Sequence, residues 1–260
     1  MFTFRTTTIT FFVFLFLLNI LGFAGFGIHY WHYLILIGIY VTVSVTLSFF
    51  IRSCFHLKAF SNGITTEKII SITFDDGPDT EYTNRILDVL KDAGITATFF
   101  CIGRKIDGNE ELLKRMDNDG HLIGTHSYSH SNWFDFFPPR RMKKEFLRTE
   151  EKIIHITGKR PLMFRPPYGV INPMVKRALH GTGYHVIGFS NRAWDTVAKK
   201  EGKILSRITR SLKPGDIVLL HDTVQQNINV LKSFLDYLTQ NGYQVVSLDK
   251  LLNIIPYEKT

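Results

Sequence analysis

Between positions 9 and 51 no side chain carries a formal charge, and that run limits what the first part of the chain can become. It divides at residues 27–33 (Gly-Ile-His-Tyr-Trp-His-Tyr), where polar and aromatic groups cluster, leaving segments 9–26 and 34–51 of 18 residues each. As helices these extend about 27 Å, close to the roughly 30 Å of a bilayer's hydrocarbon core. Tyr30, Trp31 and Tyr33 suit a turn at headgroup level, and Gly22, Gly25 and Gly27 allow two helices to approach closely. A transmembrane helical hairpin is therefore expected. A cleaved signal peptide is the competing reading, with Arg5 as its charged region and 11–18 as its apolar core. Segment 34–51 would still be an anchor in that case, so a membrane location, the plasma (inner) membrane of the cell, is expected either way. Arg5, Arg52 and Lys58 all flank the hairpin on its terminal side. The positive-inside tendency would then leave the rest of the chain in the cytoplasm, although so few charges leave the face open.

The remainder reads as a globular unit. After position 51 there are 30 basic and 23 acidic side chains, with no low-complexity stretch or internal repeat. No run of basic residues alternates with aromatics, which argues against a nucleic-acid partner. Cys54 and Cys101 cannot build a disulfide framework or a thiolate metal site. The expected organisation is a two-helix membrane anchor at 1–52, a linker at 53–67 and a catalytic domain at 68–260.

Within that domain strands and helices alternate. Apolar runs at 69–74, 98–102, 121–125, 162–164, 184–189, 216–220 and 243–246 read as strands. Helical periodicity covers 83–93, 110–119, 140–157, 172–179, 204–212 and 229–241, with Gly94 and Gly158 as stops and Pro173 in a first turn. Seven strands separated by helices imply a parallel α/β sheet, because parallel neighbours need crossovers.

The ionisable residues with chemical potential follow strands. Asp75 and Asp76 follow the first, His126 and His130 the third, Arg165 the fourth, Asp195 lies past the fifth, and His221 and Asp222 follow the sixth. In a βα barrel all of these meet at the carboxyl face, where such folds carry their active sites.

Each motif has a chemical and a dull reading. Two neighbouring carboxylates in Asp75-Asp76-Gly77-Pro78 can divide their work, one ligating a cation and the other taking a proton; alone, the motif is equally a solvated turn. His126 and His130 stand at i and i+4, on one side of a helical turn, and with one carboxylate would make a two-histidine, one-carboxylate metal set. Surface histidines would explain the pair without the Asp-Asp turn beside it. Arg165-Pro166-Pro167-Tyr168-Gly169 is stiffened by its prolines and can aim a guanidinium and present a backbone N–H to an anionic oxygen; otherwise it is a plain loop. His221 ends a buried strand and can donate a proton, though a hydrogen-bonded structural histidine is the ordinary case. Trp194-Asp195 can orient that histidine and line a groove, with little specificity of its own.

Together, TFDDG (73–77), HSYSH (126–130), RPPYG (165–169) and LLHD (219–222) resemble the polysaccharide deacetylases of the NodB-homology group of carbohydrate esterases. The resemblance spans about 68–252 and implies a distorted (β/α) barrel of about seven strands. It further implies Asp75 as general base, with Asp76, His126 and His130 binding a divalent metal ion, usually zinc. Arg165 would hold Asp75, the Tyr168 N–H would meet the oxyanion, and Leu219 would line the acetyl pocket. His221 would be the general acid, and Asp195 would tune it. The family's Asp-x-x-Asp-Trp stretch corresponds here to Arg192-Ala193-Trp194-Asp195-Thr196, so the first acid is basic and the following tryptophan is a threonine. Trp194 would offer a ring from another face. The implied activity is removal of N-acetyl groups from the amino sugars of an envelope polymer such as peptidoglycan, or of a lipid-linked glycan. Rival readings are an O-acetyl esterase, an N-deformylase and a non-catalytic carbohydrate-binding membrane protein.

Overall fold

The computed structural model describes residues 3–258. The chain begins with two long apolar helices, α1 (Phe4–Phe23) and α2 (Tyr30–Ser48), whose mean hydropathies over 18-residue windows are 2.0 and 1.5. By length and composition both can cross a membrane. They pack as a pair: Thr8 Oγ1 lies 3.0 Å from the Tyr40 hydroxyl, and the Phe11 and Tyr40 rings are 4.6 Å apart. Both helices start earlier than the charge pattern predicts. Tyr30, Trp31 and Tyr33 therefore lie in the first turn of α2, and the connection is the short stretch around Gly25, whose φ of 83° reverses the chain.

The catalytic unit follows as β1 (Ile69–Asp75), α3 (Tyr82–Asp92), β2 (Thr98–Cys101), α4 (Gly103–Ile106), α5 (Glu110–Asn118), β3 (Leu122–Thr125) and α6 (Pro139–Thr157). It continues through β4 (Met163–Phe164), α7 (Pro173–Leu179), β5 (His185–Val186), β6 (Asn191–Arg192), α8 (Glu201–Arg210), β7 (Ile217–His221), α9 (Asn227–Gln240), β8 (Gln244–Val245) and α10 (Leu248–Leu252). Strand order is β5-β4-β3-β2-β1-β7-β6, all parallel, with β8 paired to the first residues of β1. The main path curls into a half-barrel of seven strands, and β1 at its centre is buried from its second residue onward, as in a parallel sheet covered on both faces.

Helices cover the sheet with apolar stripes. Ile86, Leu87 and Leu90 of α3 and Leu231, Phe234 and Leu238 of α9 pack on β1, β2 and β7. Helix α6 opens on Pro139 and stops at Gly158, whose φ of 71° suits glycine after a last helical turn.

The run at 184–189 forms only the short strand β5, with an isolated bridge at Ile187, and a further strand the sequence did not announce, β6, follows at Asn191–Arg192. Phe60, from the segment after the anchor, takes the place beside Ile187: its N–H donates to the Val186 carbonyl at 2.8 Å, and Gly188 N–H donates back to Phe60 at 2.8 Å. Phe55, Ala59 and Ser61 are buried, so the expected linker is packed against the catalytic unit along much of its length. Helix α2 meets that unit through Ile171 N–H on the Ser48 carbonyl at 3.0 Å, and meets the intervening segment through Ser48 Oγ, 2.9 Å from His56 Nε2.

Candidate active site

Strand β1 delivers the two aspartates. Successive strand side chains point to opposite faces, yet both carboxylates are needed on one side. The backbone solves this at Asp76, whose φ of 75° breaks the pleat just past the strand. As a result Asp75 Oδ2 and Asp76 Oδ1 lie 4.0 and 3.5 Å from the same atom, His126 Nε2.

His126 and His130 do not share a helical turn. Residues 126–130 form a loop with Ser127 at φ 68° and His130 at φ 45°, and this brings the imidazole centroids within 5.0 Å. Glu145 of α6 pins the loop: its Oε2 accepts from the N–H groups of Tyr128 (3.1 Å) and Ser129 (2.7 Å) and from the Ser129 hydroxyl. His130 Nε2 stands 3.3 Å from Asp76 Oδ1.

These three residues fit a cation. Their ligand atoms all lie within 4.8 Å of one another, and Asp76 Oδ1 is buried with no hydrogen-bond donor of its own. His126 Nδ1 donates to the Arg165 carbonyl at 2.8 Å, which leaves the Nε2 lone pair facing inward, as a ligating imidazole requires. Burial, reinforced by His126, lowers His130 to about 4 and keeps it neutral at physiological pH. Burial alone would raise Asp76, but His126, His130, His221 and Lys105 outweigh it and hold this carboxyl below its ordinary value.

Asp75 is held from the opposite side. Arg165 is fully buried, and its Nη1 donates to Asp75 Oδ1 and to Thr73 Oγ1, each at 2.8 Å. Its other donors go to the carbonyls of Ile187 (3.3 Å) and Gly188 (2.8 Å), and the guanidinium lies 4.2 Å from the Phe100 ring centroid. Such a network satisfies a buried cation, which would otherwise be costly.

His221 closes the other flank. Its Nδ1 donates to Asp195 Oδ1 at 2.8 Å, its backbone N–H donates to Asp195 Oδ2 at 2.7 Å, and its Nε2 points inward, 3.8 Å from Asp76 Oδ2. Burial works against the imidazolium, but the Asp195 hydrogen bond and the charges of Asp195, Asp75 and Asp76 prevail and raise its pKa above 6.5.

A cavity of about 250 Å³ joins these groups, lined also by Tyr168, Gly169, Phe189, Leu219, Arg192 and Thr196. Nine of the ten predicted site residues thus surround or directly support one space. Trp194 does not line it: φ 57° turns that ring outward, onto the Arg192 guanidinium at 4.2 Å. Sequence reasoning missed Glu145 and Asn227, whose Nδ2 donates to Asp195 and to the His221 carbonyl (2.7 Å). No local motif marks either, because each acts on residues distant in sequence or across a turn.

A half-barrel that gathers a carboxylate–histidine cation cage, an arginine-held acid and an aspartate-held imidazole at its strand ends defines a hydrolase. The polysaccharide deacetylase family model matches residues 62–187. The chain is 37% identical over 196 residues to a peptidoglycan-N-acetylglucosamine deacetylase of Bacillus cereus, covering 72% of this chain and 89% of the relative. It is 34% identical over 198 residues to the peptidoglycan-N-acetylmuramic acid deacetylase PdaA of Bacillus subtilis, covering 75% of each. The crystal structure of the Bc1960 peptidoglycan N-acetylglucosamine deacetylase superposes with a TM-score of 0.72 at 29% identity, covering 77% of this chain and 94% of that one. The chain belongs to the polysaccharide deacetylase family, divalent-metal-dependent hydrolases acting on carbon–nitrogen bonds other than peptide bonds.

Proposed function

We propose that this protein is a membrane-anchored N-deacetylase acting on the amino sugars of peptidoglycan or a similar envelope polymer, with zinc as its metal ion. The observation that carries the reading is the arrangement around Asp76: two imidazole nitrogens at 3.3 and 3.5 Å, an arginine-held carboxylate on one side and an aspartate-held imidazole on the other. Membrane anchoring rests on α1 and α2, whose large apolar side chains, Phe12 and Phe16 among them, face outward from the protein. We take 1–52 as the anchor and 68–260 as the catalytic domain, with 53–67 joining them.

Asp76, His126 and His130 would hold the cation, which would supply polarisation of the acetamide carbonyl and acidification of a water molecule. Asp75 accepts a proton from the attacking water. Arg165 keeps Asp75 aimed through its guanidinium hydrogen bond. The Tyr168 N–H donates to the oxygen on which negative charge develops. Leu219, 2% exposed at the cavity wall, accepts the acetyl methyl. His221 then donates the Nε2 proton to the departing nitrogen, leaving acetate and a free amine, while Asp195 stabilises the imidazolium.

The test is acetate release by the full chain in detergent from N-acetylated glycans, before and after chelation and zinc reloading. Acetate from N-acetylglucosamine or N-acetylmuramic acid polymers, lost on chelation and restored by zinc, is expected. Release only from O-acetylated glycans, or formate only from N-formyl sugars, would assign the same machinery to an ester or a formamide. Glycan binding without turnover on any of them would make the protein a carbohydrate-binding module.

A further inference from the structure

Arg192 occupies an unusual position among the arginines of the site. It stands in register with Leu219 on the neighbouring strand, so its side chain leaves the sheet at the edge of the catalytic cavity, whose wall it helps to form. It also forms the wall of a second, adjoining cavity of about 430 Å³, with Trp194, Val197, Arg207 and Ser211. The guanidinium is held by rings rather than by acids, 4.2 Å from the Trp194 ring centroid and 5.6 Å from that of Phe189.

The buried or paired arginines elsewhere are satisfied by carboxylates: Arg165 by Asp75, Arg160 by Glu150, Arg115 by Asp88. Among the described residues neither Arg192 nor Arg207 has a carboxylate within 4.0 Å, and Arg192 Nε is buried with no acceptor. No acidic side chain lines the second cavity. A cleft beside the reaction centre therefore carries two unneutralised guanidinium groups, one of them fixed in place by stacking. Such a fork matches a planar carboxylate in two parallel hydrogen bonds, and the low-dielectric ring wall strengthens the attraction. Trp194, 48% exposed, offers an aromatic face beside it.

We propose that Arg192 and Arg207 form a subsite for a carboxylate borne by the substrate, so that the preferred substrate is an acidic acylated amino sugar, with a carboxylic ether next to its acetamido group as in a muramic acid residue. Arg192 is a specificity-determining residue, reaching the carboxylate from the edge of the cavity in which the acetamide is cleaved. The inference rests on the deacetylase reading and deepens it.

The test uses the full chain in detergent, loaded with zinc, and two glycans that differ only in the carboxylate of their N-acetylmuramic acid residues, free in one and converted to the amide in the other. Acetate release should favour the free carboxylate by about tenfold or more in kcat/KM, the range of a charge-assisted bidentate contact. In Arg192→Gln that ratio should fall to about one, in Arg192→Lys it should be intermediate, and in Arg207→Gln it should drop partway. Equal rates for the two glycans in the wild type, or an unchanged ratio in both glutamine variants, overturns the subsite. Arg207 is exposed, so its variant carries the comparison if Arg192→Gln does not fold. Calorimetric binding of the same pair keeps the two readings apart. Carboxylate-dependent binding that Arg192→Gln abolishes, without acetate release, sustains the subsite and removes the deacetylase assignment. Turnover with carboxylate-independent binding does the reverse.

Discussion

His126 and Arg165 are joined by a 2.8 Å hydrogen bond from the imidazole Nδ1 to the main-chain carbonyl, while the Arg165 side chain donates to Asp75 at the same distance. One residue therefore orients the His126 imidazole through its backbone and the Asp75 carboxylate through its side chain. The two roles separate on substitution. Arg165→Lys keeps the carbonyl and a positive charge but loses the planar fork that reaches Thr73, Asp75, Ile187 and Gly188 together. We expect kcat to fall roughly 10- to 100-fold with metal content unchanged by elemental analysis. Loss of metal in step with activity would show that the side chain also supports the cage.

Asp75→Asn removes the proton acceptor and leaves Asp76, His126 and His130 in place. A fall in kcat of roughly 10²–10⁴-fold is expected, with stoichiometric zinc. Asp76→Asn should show the opposite emphasis, with zinc affinity failing first. Reversed results mean that the roles of the two neighbours are exchanged.

The pH dependence has a defined sign. His221 must be protonated to act as acid, and its pKa is raised by Asp195 against the effect of burial, so activity declines as pH rises through that raised value. Asp195→Asn removes the charge that raises it. The basic limb of the kcat/KM profile should move to lower pH, with a lower plateau. A limb that stays in place would detach His221 from the acid step.

Gly77 lies against a wall. A Cβ there would come within 1.9 Å of Asp222 Oδ2, and Asp222 is fully buried, accepting a hydrogen bond from the Thr83 hydroxyl at 2.6 Å. Gly77→Ala should therefore displace the turn that carries Asp76, costing about 1–3 kcal/mol of stability and weakening zinc binding more than it lowers the melting temperature. Thermal melts with and without zinc give the comparison, and an unchanged zinc-induced shift would contradict it.

Membranes from cells expressing the full chain, washed in alkaline carbonate, should retain the protein, since two spans resist extraction that removes peripheral proteins. Release into the wash would mean that neither helix spans the bilayer, whereas retention with an N-terminus mapped beyond α1 would replace the hairpin with a single anchor behind a cleaved leader.

Local sequence determined much of this protein. Charge-free apolar runs mark the two long helices, and apolar segments between helical stretches mark a parallel sheet because both of its faces are buried. The four motifs fall at strand ends, where any βα fold must expose its polar groups, so nearly all of the site was legible as a set of residues. Periodicity failed where backbone conformation departs from the repeating forms. Positive φ values at Asp76, Ser127 and His130, not a helical turn, bring the Asp76, His126 and His130 side chains together. Trp194 turns away from the cavity by the same device, onto Arg192. The 184–189 run is shortened to two residues of strand, and Phe60, more than a hundred residues earlier, occupies the hydrogen-bonding edge beside Ile187. Glu145 and Asn227 hold site residues through contacts that span the fold or bridge a turn, and no spacing rule encodes them. Side-chain chemistry is written residue by residue, whereas distances between residues depend on how distant segments pack, and that is what the tertiary structure alone decided.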